Sequence, residues 1–233
     1  MKETAERIAE EVLEQLEIRD VFSFTVGGMQ INIAESVVVG WIVIGIVLVL
    51  SLILTTGLKV NNISRRQALA EWLVEKGEEL VGGMVGEEGR EYVPYLLSVL
   101  IFIALSDCIG LIGFKPPTKD LNVTAALAIM SIILVQAAAI RKKRVGGWLK
   151  GFTEPVKLVT PINILELGIK PLSLCMRLFG NVVGAFIIME LLKSVVPAVL
   201  PAVFSLYFDI FDGFLQAYVF VFLTGMYIKE AIE

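Results

Sequence analysis

The chain has 233 residues, of which 56% are hydrophobic, with no histidine, two cysteines and a formal net charge of −4. That balance offers no basic surface to a nucleic acid, and the absence of histidine excludes His-based catalysis and His-ligated metal sites. Cys108 and Cys175 both lie in apolar segments, so two buried thiols are expected rather than a disulfide, and no metal-ligand spacing exists.

The acidic excess is concentrated between Glu3 and Asp20, where Ile8, Val12 and Leu16 recur at helical spacing. This is the pattern of a short acidic amphipathic helix, without the basic start and apolar centre of a signal peptide. Phe22, Phe24 and Val26, then Met29, Ile31 and Ile33, alternate around Gly27-Gly28, which predicts a small hairpin. Residues 1–35 therefore form an N-terminal extracytoplasmic segment, and residues 36–233 the membrane domain.

Ser36–Leu58 carries no charge and is long enough to cross the roughly 30 Å hydrocarbon core of a bilayer. Ser64–Gly82 follows, with Ser64 and Gln67 placed as a capping box. Its Leu69, Trp72, Leu73 and Leu80 share a face opposite Glu71, Glu75 and Glu78, so it reads as a helix lying at the membrane surface. The second span is Tyr92–Phe114, with Asp107 as its only charge, and Asp107 reads as capping a turn or facing water. A short turn at Pro116-Pro117 leads to the third span, Leu121–Ile140. Basic residues crowd two loops, one from Lys59 to Arg90 and one from Arg141 to Lys157, while the loop between them has only Lys115 and Lys119. The positive-inside rule makes the two basic loops cytoplasmic, with the N-terminus outside and the C-terminus cytoplasmic.

The last third differs. A helical pattern runs from Pro161 to about Val195, broken at most by Pro171, and a second runs from about Pro201 to Ile228. At nearly 30 residues each is about 45 Å long, more than the bilayer needs. Such helices must tilt steeply against a partner, and the short link around Pro197 and Pro201 makes residues 161–229 an antiparallel pair. One face of the first collects Glu166, Lys170, Ser173, Arg177, Asn181 and Gly184; one face of the second collects Ser205, Asp209, Asp212, Gln216 and Tyr227. Charges at membrane depth cost at least about 2.5 kcal/mol each and usually mark ion pathways. Arg177 paired with Asp209 or Asp212 would be the purely structural alternative. Glu166, Lys170, Glu190 and Lys193 lie toward helix ends, where snorkelling accounts for them. Gly180 and Gly184 form a GxxxG pair that would let another helix approach beside Arg177. An arginine there stays charged, attracts a passing carboxylate and repels a leaking cation, as a gate between two ion paths requires.

These residues carry a resemblance. Lys170-Pro-Leu-Ser-Leu-Cys-Met-Arg-Leu-Phe-Gly-Asn181 is similar to the KPLSLxxRLFGN signature of the ATP synthase a-subunit family. Pro117-Thr-Lys-Asp-Leu-Asn-Val-Thr124 resembles its PTxDLNxT turn, and Gln216-Ala-Tyr-Val-Phe with Leu223-Thr224 and Tyr227-Ile228 resembles its C-terminal pattern. The resemblance implies an all-α membrane protein: an N-terminal acidic segment, three roughly upright spans, an interfacial amphipathic helix, and two long tilted antiparallel helices against a ring of c subunits. Ions would enter through one aqueous half-channel, ride on a ring carboxylate and leave through the other. Arg177 matches the family arginine between the half-channels, and Asn181 and Gln216 match polar residues lining the path. Asp209 falls where relatives carry an acid or His on the outer side. Where many relatives have an acid nine residues after the arginine, this chain has Phe186; Glu190, or Asp209 and Asp212 together, would replace it.

The implied partners are the c-ring, b-type peripheral stalk subunits and the rest of a bacterial plasma-membrane complex, with H⁺ or Na⁺ as the transported ion and no cofactor or metal. A self-contained transporter would be expected to show inverted repeats, and none is visible. A membrane enzyme would need chemistry that the chain lacks, since it has no HExxH, GxSxG or P-loop. A plain structural anchor leaves the charges at membrane depth unexplained.

Overall fold

The alternation around Gly27-Gly28 becomes two antiparallel strands, β1 (Asp20–Val26) and β2 (Met29–Ala34), paired Phe22 with Ile33, Phe24 with Ile31 and Val26 with Met29. The alternating residues thus fall opposite one another, as period-two patterning requires. The computed structural model describes residues 20–26, 29–59, 64–152, 157–195 and 204–233. The expected acidic helix before Asp20 and the link at Pro197 and Pro201 lie outside the described residues, as do the side chains of Glu190 and Asp209.

Helix α1 (Glu35–Thr55) starts directly after the hairpin and buries little beyond Val39 and Val43, which meet Ile109. Helix α2 (Arg65–Val85) begins at Ser64, whose hydroxyl accepts from the Gln67 N–H at 3.3 Å. The reciprocal half of the expected capping box does not form. Gln67 instead grips the preceding loop, donating to the Lys59 carbonyl at 2.9 Å and accepting from the Lys59 N–H at 3.0 Å. Leu69, Trp72, Leu73 and Leu80 are exposed, as the surface-helix pattern anticipates, while Val81, Met84 and Val85 are buried.

A 3₁₀ turn, Glu87–Tyr92, leads into α3 (Val93–Cys108), with Pro94 in the first turn where its missing N–H costs nothing. A second 3₁₀ turn, Pro117–Lys119, precedes α4 (Leu121–Gly151), capped by Asp120 accepting from the Asn122 N–H at 2.9 Å. Helix α4 runs well beyond Ile140, because the basic residues that end the apolar run are still good helix formers. It breaks at Arg144 (φ 59, ψ 164), and Trp148 then donates to Gln136 at 2.8 Å. Twelve residues of straight helix would hold these two about 18 Å apart, so the chain folds back at the break.

Helix α5 (Thr160–Val195) continues through Pro171 without ending. The second long helix is not one regular element. Leu206–Asp212 is π-helical, and α6 (Gly213–Ile232) is α-helical. The wider π turn shifts the angular position of the residues across it, yet Ser205, Asp212 and Gln216 still face one common space. Helices α5 and α6 are antiparallel, with Lys170 opposite Glu230 and Asn181 opposite Gln216. The principal core joins α2, α3, α4, α5 and α6 through residues such as Val85, Leu96, Ile132, Leu178, Phe220 and Ile228. Neither cysteine is in a disulfide; Cys175 is buried as expected, whereas Cys108, at the end of α3, is only half-buried.

Candidate functional site

Leu174 and Leu178, one helical turn apart, are 1% and 0% exposed, and with Cys175 they seat the middle of α5 against the core. Anchoring that face turns Arg177 outward. It is exposed and has no ion-pair partner among the described residues, so the structural alternative of an Arg177–Asp212 pair does not form. A Cβ placed at Gly180 or Gly184 would meet nothing within 4 Å. This part of α5 is uncovered beside a permanent positive charge.

One turn beyond Arg177, Asn181 Nδ2 donates to Gln216 Oε1 at 2.5 Å and bridges α5 to α6. Toward the other end, Lys170 bonds Glu230 at 3.0 Å and lies 3.4 Å from Glu166. The two polar stripes therefore meet above and below Arg177. Ser173 is half-buried on the same helix. Lys170 thus pairs with two carboxylates that are themselves largely open to solvent.

Beyond Gln216 a cavity of about 490 Å³ opens between α3, α5 and α6, with Asp107, Phe186, Lys193, Ser205, Asp212 and Gln216 in its wall. Gln216 is 2% exposed, and its Nε2 has no hydrogen-bond partner among the described residues. The Pro117–Lys119 turn closes one side. Thr118, Lys119 and Asp120 are all buried, each reaching a different helix. Thr118 donates to Asp107 of α3, Asp120 accepts from Ser36 of α1 at 2.5 Å, and the Lys119 ammonium sits 3.5 Å from the centroid of the Phe186 ring of α5. Cation–π contact lets an aromatic ring take the place opposite a lysine that an acid could also fill.

A family model described as the ATP synthase A chain matches residues 37–229. The chain belongs to this family. It is 37% identical over 93% of its length to "ATP synthase subunit a" of Moorella thermoacetica, covering 98% of that protein. It is 34% identical over 86% of its length to "ATP synthase subunit a 3" of Pelobacter propionicus, covering 88% of that protein. A third relative, "ATP synthase subunit a, sodium ion specific" of Propionigenium modestum, is 31% identical over 72% of the chain and 64% of its own length.

As a member of the ATP synthase A chain family with, among the described residues, five helices long and apolar enough to cross a bilayer, this is a multi-pass membrane protein. Among the residues singled out from the sequence, the structure gathers Gln216 and Asp212 at one cavity and ties Asn181 to its edge. Arg177, Gly180 and Gly184 stay outside it, on the open part of α5. Asp107, expected to cap a turn or face water, is 5% exposed; it accepts from Thr118 of the Pro117–Lys119 turn and stands in the cavity wall. Lys193, expected simply to snorkel, lines the cavity. Asp107 was detectable as the lone charge of its span, but Thr118 was not, because only folding brings the turn against α3.

Proposed function

We propose that this chain is the ion-translocating stator subunit of a rotary F-type ATP synthase, offering two aqueous half-channels to a c-ring. Arg177 is the gate between them, coupling H⁺ or Na⁺ flow to rotation and ATP synthesis. The observation that carries this reading is the exposed guanidinium of Arg177, without an ion-pair partner among the described residues, beside Gly180 and Gly184, where an added Cβ would meet no described atom within 4 Å. An arginine at membrane depth needs a polar partner or water, and a ring carboxylate passing Gly180 and Gly184 would supply it. Release of an ion from that carboxylate follows from the attraction of a fixed cation for the ionised form.

In this reading α5 and α6 tilt along the ring, α1, α3 and α4 stand more upright, and α2 lies at the cytoplasmic surface. Residues 1–35 are extracytoplasmic, residues 36–233 form the membrane domain, and the C-terminus is cytoplasmic in a bacterial plasma membrane. The cavity bounded by Gln216 and Asp212 is the outer half-channel, with Asn181, Ser173, Asp209 and Glu190 along the path. Stalk subunits of the b type hold the chain against rotation, and the chemistry on ATP takes place elsewhere in the complex.

The test is ATP-driven ion uptake into liposomes containing the whole complex, wild type against Arg177→Ala, with H⁺ and Na⁺ followed separately. Coupled uptake is lost in the variant while the complex remains assembled. Undiminished uptake would make Arg177 a structural residue and overturn the gate.

A further inference from the structure

Asp107 is the one charge between Tyr92 and Phe114, and it stands in the last turn of α3. There the helix dipole opposes a negative charge, so a carboxylate is a poor choice for mere support, and an asparagine would serve packing better. The surroundings are nevertheless built around it. Thr118, itself fully buried, donates its hydroxyl to Asp107 Oδ1. On the facing helix Gly213 makes room, since a Cβ there would lie 2.9 Å from Asp107 Cβ. Asp107 is 5% exposed, yet it forms part of the wall of the 490 Å³ cavity that Asp212 and Gln216 share. A space of that size, with Asp107, Asp212, Lys193 and Gln216 among its lining, has room for several waters. The unpartnered Nε2 of the buried Gln216 supplies a donor for an occupant of the cavity.

We propose that Asp107 is a proton-relaying carboxylate of the outer-side path, with Thr118 as its positioning residue. The assignment rests on the ion-path reading above and adds an α3 group to a route otherwise drawn on α5 and α6. A hydronium in the cavity gives its proton to Asp107 and leaves as water. The acid then returns the proton to water on the Asp212–Gln216 side, so no co-reactant is needed. Among the described residues, the charged groups facing this space are Asp212 from the π turn, Lys193 from α5 and Lys115 from the loop after α3, with Lys119 over the Phe186 ring.

The experiment compares Asp107→Asn, Thr118→Val and Arg177→Ala in the whole complex in liposomes, measuring ATP-driven H⁺ and Na⁺ uptake across a pH series. Asp107→Asn assembles and slows H⁺ uptake at least about tenfold, less than the hundredfold typical of a lost acid–base group because cavity water provides a bypass. Its residual uptake loses the wild-type pH dependence. Thr118→Val keeps the carboxylate but moves the acid-side fall-off to higher pH, because the ionised form has lost a donor. Wild-type uptake in Asp107→Asn, or slower uptake with an unchanged pH profile, overturns the relay. If Arg177→Ala still abolishes coupling in that case, the stator reading stands without it. Should Asp107→Asn fail to assemble, an unmoved profile in Thr118→Val overturns the proposal. Na⁺ uptake in place of H⁺ overturns it as well.

Discussion

Glycines on α5 and α6 occupy opposite surroundings. On α6, a Cβ at Gly213 would press on Asp107 Cβ at 2.9 Å, and one at Gly225 would lie 3.3 Å from both Met84 Cβ and Val85 Cγ1. On α5, Gly180 and Gly184 have nothing within 4 Å. Helix α6 buries a continuous face from Gln216 to Ile232, whereas the only buried side chains described on α5 are Leu174, Cys175 and Leu178. In a bilayer, small residues on a helix matter chiefly where another helix approaches. Those of α6 are used up within the subunit. Gly180 and Gly184 of α5 have no such contact among the described residues, and they stand beside an arginine that lipid tails cannot solvate.

The largest effect on the chain's own stability should come from the narrow strip that seats α5. Leu178→Ala is expected to cost about 2–5 kcal/mol, the range for a fully buried leucine, read by thermal unfolding of the subunit in lipid nanodiscs. Met176→Ala, on the exposed side of the same helix, should stay within about 0.5 kcal/mol. Equal costs would mean that α5 is not anchored by one face. Next comes Gly213→Ala, at about 1–3 kcal/mol for overpacking between two backbones. Gly225→Ala should cost less, since its neighbours need to yield only slightly. A neutral Gly213→Ala would show that α3 and α6 are farther apart than the Asp107 contact indicates. Lys170→Gln should cost no more than about 1 kcal/mol, because Glu230 is largely exposed and water replaces much of the pair.

The contrast between the two helices was only half legible in the sequence. The hairpin register, the five spans and the passage of α5 through Pro171 follow from local periodicity, and local periodicity is visible. The GxxxG pair and Arg177 could also be placed on one helix. Which glycines are covered could not, because Asp107, Met84 and Val85 come to α6 from elsewhere in the chain. The π turn at Leu206–Asp212 was hidden for a related reason: it contains no proline or glycine to signal a change of pitch. The break at Arg144 puts a non-glycine residue at positive φ, while the glycines of that stretch, Gly146 and Gly147, stand just after it. Gln67 looked like a capping partner because its spacing from Ser64 is right, yet the Lys59 backbone competes for the same side chain and wins.

The sharpest use of the comparison is the substitution with the smallest effect on the chain itself. Gly184→Leu places a side chain where a Cβ would meet no described atom within 4 Å, so its unfolding in nanodiscs should match wild type, within about 0.5 kcal/mol. In the whole complex, on the proposed function, the same leucine would stand in the way of a ring helix passing Arg177. ATP-driven ion uptake should then fall steeply, and cross-linking between α5 and the ring should weaken. A loss of stability in the isolated subunit would mean that Gly184 is an internal contact like Gly213. Unchanged stability together with unchanged coupling would mean that the open part of α5 faces lipid, and Arg177 would then need a partner other than the ring.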